Sequence, residues 1–229
     1  RLAALRWLDL RGNRLQSLPD SFGQLQGLEK LHLEHNGLTS LCESVGALQS
    51  LQELWMQNNH LTELPASIGG LRSLVVLDLQ RNRLTNLPEA FAEALEALEV
   101  LFLQSNSLAA LPAGFGGLAA LRELQAQHNQ LTQLPSTFGR LASLSTLSLQ
   151  SNSLTSLGDS FGQLSALSRL DVASNRLEAL PPSFGQLACL READLQRNKF
   201  KSLTESFGSL SLLRSLDLQH SGLAAVPSD

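Results

Sequence analysis

The sequence predicts an α/β-type solenoid shaped as a horseshoe, with about ten short strands in one concave parallel sheet and a convex side of mostly 3₁₀ or irregular turns. Three observations predict it. First, the skeleton L-x-x-L-x-L-x-x-N-x-L of residues 74–84 returns along the whole chain, its Asn falling at 13, 36, 59, 82, 106, 129, 152, 175 and 198. The step is 23 residues, and once 24 between Asn82 and Asn106, a period that marks a stack of repeated units. Second, the L-x-L pair in each unit alternates with period 2, the pattern of a strand with one buried face. Third, about 23 residues leave little length for a long helix once a strand and its turns are taken.

Taken in order, each unit opens on its strand, from Leu8-x-Leu10 through Leu31-x-Leu33 to Leu216-x-Leu218. Identical units place strand beside strand. The Asn that follows sits where the chain leaves the strand, and its amide is expected to bond the backbone of neighbouring turns that burial would otherwise leave unpaired. The return arm carries one apolar position: Phe22, Val45, Ile68, Phe91, Phe115, Phe138, Phe161, Phe184 and Phe207, expected to stack into a spine. The Gly that usually follows is expected to let the backbone turn tightly. In the fourth unit residues 89–97 lose that Gly, gain one residue and consist of good helix formers, so an α-helical turn is expected there. The tenth unit has Ser221 in the Asn position. Arg1 to Leu5 lack a polar cap and Val226 to Asp229 stop in mid-unit. Residues 1–229 are therefore expected to form a single solenoid that is a fragment of a longer chain or a module of a larger assembly.

This skeleton, with the return segment Leu18-Pro19-x-x-Phe22-Gly23-x-Leu25, resembles the leucine-rich repeat family. The return arm is similar to the 23-residue class of intracellular Ras-suppressor and Scribble-type scaffolds. The resemblance covers essentially the whole chain. It implies a non-enzymatic protein-protein interaction scaffold in signalling, with partners such as small GTPases, kinases or phosphatase subunits, and no cofactor.

Composition narrows the function classes. The net charge is −4, spread without blocks and with only three Lys, which gives no electrostatic footprint for nucleic acid or an anionic membrane. No apolar run approaches the 18 or so residues of a membrane span. Cys42 and Cys189 belong to the second and ninth units, about 34 Å apart at one strand spacing per unit, too far to pair. None of the eleven Asn heads an N-x-[S/T] sequon; with the unpaired cysteines this favours a reducing, cytoplasmic compartment. His32 and His35, with Glu34 and Asp9, have the residue types of a zinc site, but strand alternation and the turn splay them, so they are expected to be surface residues. No nucleophile elbow, phosphate loop or C-x-x-C is present, which leaves an enzyme nothing to work with.

The informative positions are those between the core leucines, which reach the concave face. Here Trp55 and Phe102 are expected two strands apart, roughly 10 Å, with Asp78 between them and Val76 and Val100 alongside; Arg81, His35, Asn58 and His128 form a polar border one turn away. Phe102 is the only phenylalanine of nine outside the spine and the Leu positions, and aromatics ringed by polar groups have the composition of an interface hot spot. Trp7 is expected to cover the open N-terminal edge. A second candidate is the row Asp171, Asp194, Asp217, whose like charges need an answer; internal neutralisation by Arg169, Arg191, Arg197 and Arg214 is expected ahead of a basic partner. The reading is a scaffold that docks a protein or peptide on its concave sheet; the alternative is a structural subunit packed permanently into a large assembly by its convex side and ends.

Overall fold

The computed structural model describes Leu2 and residues 4–224, Glu93 by its backbone alone. The expected C-terminal stop at Val226 to Asp229 lies outside the described residues, as do Arg1 and Ala3 of the N-terminal edge. Ten strands form one parallel sheet in strict chain order: β1 Trp7–Asp9, β2 Lys30–His32, β3 Glu53–Trp55, β4 Val76–Asp78, β5 Val100–Phe102, β6 Glu123–Gln125, β7 Thr146–Ser148, β8 Arg169–Asp171, β9 Glu192–Asp194 and β10 Ser215–Asp217. Each strand centres on the first leucine of its pair, replaced by Ala193 in β9, and these residues stand in register across the sheet. The ladder runs on past the strands, since the Leu33 N–H donates to the Trp55 carbonyl at 2.8 Å.

Eight of the nine returns between strands are 3₁₀ turns, and the ninth, Glu89–Ala94, is the α-helix α1. Ala-rich sequence and the extra residue favour the wider turn there, as the composition predicts. The spine is present. Phe115, Phe138, Phe161, Phe184 and Phe207 stack ring on ring with centroids 6.0 to 6.4 Å apart and planes within 5° of parallel. Val45, Ile68 and Phe91 are buried at the same position in earlier units. Phe200 is buried in a leucine position.

The glycine after the spine residue has a different job from the one expected. Its φ is not left-handed; instead a methyl group on Gly116, Gly139 or Gly162 would run into the backbone carbonyl of Thr137, Ser160 or Ser183 in the next unit. These glycines set how closely successive units stack. Gly208, covered by no later described unit, has open space where its side chain would be.

The Asn side chains tie each unit to the one before it at the strand ends. Asn59 accepts the Leu38 N–H at 3.0 Å on Oδ1, and its Nδ2 donates to the Leu33 and Met56 carbonyls at 2.9 and 3.0 Å. The same set recurs at Asn82, Asn129 and Asn175. At Ser221 the backbone carbonyl takes over, accepting the Phe200 N–H at 2.7 Å. The residue just before the Asn is left-handed in every unit: Gly12 at φ 69, and His35, Asn58, Arg81, Ser105, His128, Ser151, Ser174, Arg197 and His220 at φ between 52 and 58. Nothing in the sequence pattern except Gly12 announced this.

Candidate functional site

Because the leucines fill the core, the intervening side chains line the concave face. The register aligns Trp55 with Asp78 and Asp78 with Phe102, and Val76 with Val100. Trp55, Phe102, Val76 and Val100 are half-buried, while Asp78 is only 1% exposed. Its Oδ1 accepts the Gln80 backbone N–H and its Oδ2 the Gln80 Nε2, both at 2.9 Å. Burial pushes the Asp78 carboxyl above its ordinary value; the two Gln80 donors oppose this, and the charge of Glu34 adds to the rise.

Trp55 is held in place from two sides. Its Nε1 donates to Glu53 Oε2 at 3.2 Å, and Glu53 pairs with Lys30 Nζ at 2.6 Å. The Lys30 ammonium, chiefly, keeps the Glu53 carboxyl below its usual range. The His32 ring stacks on Trp55 with centroids 6.0 Å apart and planes 6° from parallel, and Trp7 meets His32 edge-on at 6.4 Å. The aromatic row therefore starts at β1, two strands earlier than expected. Trp7, 57% exposed, is part of it as well as an edge residue. His32 was expected only as a surface residue, and its residue type hid the ring contact.

The border residues occupy the left-handed turns. Asn58 and His35 are neighbours, Nδ2 to Nε2 3.4 Å, and Arg81 is exposed on the following turn. His128 lies two turns beyond Arg81, with Ser105 between, so it does not close the border. His32 and His35 are not brought together: His32 Nδ1 engages Glu34 Oε1 at 2.9 Å, and among the described residues no cluster of three His, Cys, Asp or Glu is arranged for a metal. Cys42 and Cys189 are both free.

The acidic row aligns across β8 to β10, over a concavity of about 390 Å³. Its expected neutralisation by arginine is not what the structure shows. Arg169 pairs with Glu192 at 3.4 Å, and among the described residues no arginine bonds the three aspartates. Each accepts the backbone N–H two residues on, from Ala173, Gln196 and Gln219 at 3.0, 3.1 and 2.9 Å. Asp9 and Asp78 do the same, so aspartate recurs in this row because its short side chain satisfies the strand-end N–H. Burial, and secondarily the Asp194 charge, push the Asp171 carboxyl up.

The family model described as leucine rich repeat matches residues 1–38, 26–84 and 72–131, and the one described as leucine-rich repeat region matches 118–226. No curated protein matches the sequence significantly. Among solved structures, an LRR protein of Leptospira interrogans is 31% identical with a TM-score of 0.64, over 94% of this chain and 66% of that one. A TDR receptor is 27% identical with a TM-score of 0.85, over 97% and 40%. The LRR ectodomain of the plant membrane receptor kinase GASSHO1/SCHENGEN3 from Arabidopsis thaliana, in complex with CASPARIAN STRIP INTEGRITY FACTOR 2, is 29% identical with a TM-score of 0.72, over 90% and 28%. The chain thus spans from 28% to 66% of the length of these proteins.

Proposed function

The chain belongs to the leucine-rich repeat family, and from that premise we propose that it is a non-enzymatic scaffold that docks a protein or peptide segment on its concave sheet over β3 to β5. The observation that carries this is the alignment of Trp55, Asp78 and Phe102 on three adjacent strands. Two aromatic side chains flank a carboxylate on a face from which the core leucines are turned away. The mechanism is preorganisation: spine, Asn bonds and leucine core hold the sheet, so little ordering cost falls on this side when a partner docks. That the plant receptor kinase ectodomain was solved with a bound factor is in keeping with such a role. A photoreactive benzoylphenylalanine in place of Gln125, beside Phe102 on β6, is expected to crosslink the partner, and one in place of Gln163 on the convex side is not. The reverse pattern would contradict the reading.

A second reading is a structural subunit packed permanently into a larger assembly. Sedimentation of the isolated chain separates the two: a monodisperse monomer supports the scaffold, self-association the subunit. The reducing compartment inferred from two unpaired cysteines is a further proposal, tested by locating the full-length protein in cells.

A further inference from the structure

Around β4 the concave face carries buried acceptors, some of them without donors, and the orphaned glutamine oxygen recurs beyond it at Gln127 and Gln150. Asp78 is engaged by Gln80 alone. In the next row toward the turns, Gln57 Oε1 and Gln104 Oε1 are buried without a partner, on either side of Gln80. Glu34, 5% exposed, spends Oε1 on His32 and leaves Oε2 with nothing. Its charge reaches Asp78, so the two carboxylates share one field. A carboxylate oxygen can only accept, so Glu34 Oε2 calls for a donor. Among the described residues no lysine or arginine pairs with Glu34 or Asp78, and Lys30 on β2 is taken by Glu53. Buried polar groups left unpaired are uncommon in folded proteins, and buried carboxylates without a cation more so.

The walls complete the picture. One face of Trp55 is covered by His32 on β2, so its other face is turned toward β4, and Phe102 stands on the far side of Asp78. We infer that the surface between Trp55 and Phe102 seats a guanidinium group: an arginine side chain of the docked segment, held over Asp78. The inference rests on the docking surface proposed above and specifies its chemistry. Arginine fits better than lysine because its planar fork suits a carboxylate, stacks on aromatic faces and is weakly hydrated, whereas ammonium is a compact, strongly hydrated point. The half-buried Gln80 side chain donates to Asp78 Oδ2 and accepts from Gln104 Nε2; on docking it exchanges the Asp78 bond, and the guanidinium takes its place on Oδ2.

The test uses the Trp7→Phe chain, in which Trp55 is the sole tryptophan, titrated with N-acetyl-arginine amide and with its neutral isostere N-acetyl-citrulline amide while Trp55 fluorescence is read. Arginine amide is expected to saturate with Kd on the order of 1 mM, and citrulline amide to bind at least about tenfold more weakly. Asp78→Asn is expected to remove the difference between them. Equal response to both amides, or none to either, overturns the guanidinium seat and leaves the aromatic docking surface standing. A preference for arginine that survives Asp78→Asn also overturns it, moving the cation to Asp171, Asp194 and Asp217. Failure of the docking surface itself is read separately, from partner affinity in Trp55→Ala and Phe102→Ala. The two-amide comparison holds even if Asp78→Asn does not fold.

Discussion

Asn129 and Leu108 are 21 residues apart and meet in one hydrogen bond, the Leu108 N–H donating to Asn129 Oδ1 at 3.0 Å, while Asn129 Nδ2 donates to the Leu103 carbonyl of the preceding unit at 3.0 Å and to that of Ala126 in its own at 3.1 Å. One buried amide thus serves the backbone of two units. Asn129→Ala orphans those groups and is expected to cost roughly 1–3 kcal/mol. Gln130→Ala, exposed next door, should stay within about 0.5 kcal/mol. Denaturant midpoints compare the two, and equal shifts would refute the role given to the Asn.

The stacking glycines make a sharper contrast. Gly139→Ala drives a methyl into the Ser160 carbonyl and should destabilise by roughly 1–3 kcal/mol through forced separation of units. Gly208→Ala meets nothing within 4 Å and should be neutral or raise stability by about 0.5 kcal/mol, because alanine restricts the unfolded chain. Thermal melts of both variants check this.

The left-handed turns predict opposite signs for the same substitution two residues apart. Ser151 sits at φ 56, where a side chain is strained, so Ser151→Gly should be neutral or stabilise by up to about 1 kcal/mol. Ser153 is not left-handed and its N–H holds the Leu131 carbonyl at 2.9 Å; Ser153→Gly should cost about 0.5–1 kcal/mol. Identical shifts would contradict the turn assignment.

Asp78 links stability to pH. Its folded-state pKa is raised above the ordinary value of 3.8, first by burial. The proton is therefore bound more tightly folded than unfolded. The ionised form weakens the fold as pH rises through the raised value, and this cost is absent below the ordinary one. Asp78→Asn should be more stable than the parent at pH 7, by something on the order of 1 kcal/mol. That advantage should disappear as pH falls toward about 4. Asp171 shifts the same way but is common to both chains, so their difference isolates Asp78.

The period, the strand register, the Asn bonds and the phenylalanine spine were legible because each repeats one residue type at one spacing. The α-helical turn was legible because Ala92 stands where glycine usually does. What escaped depends on partners in other units. The function of Gly139 lies in the Ser160 carbonyl it approaches, and left-handed Arg81 or Ser105 carries no compositional mark. Asp171, Asp194 and Asp217 looked like charges awaiting arginine, whereas their oxygens face N–H groups two residues on. His32 was expected to be a surface residue, and only the ring geometry shows that it joins Trp7 to Trp55.

The central claim is that the partner docks on the concave face over β3 to β5, and the affinity of an isolated partner for the parent chain and for the Trp55→Ala, Phe102→Ala double variant tests it most directly. Loss of about 2 kcal/mol or more in binding, with the melting temperature nearly unchanged because neither ring lies in the leucine core, is the predicted result. Unaltered affinity would contradict it and move the contact to the convex side or to the row of Asp171, Asp194 and Asp217.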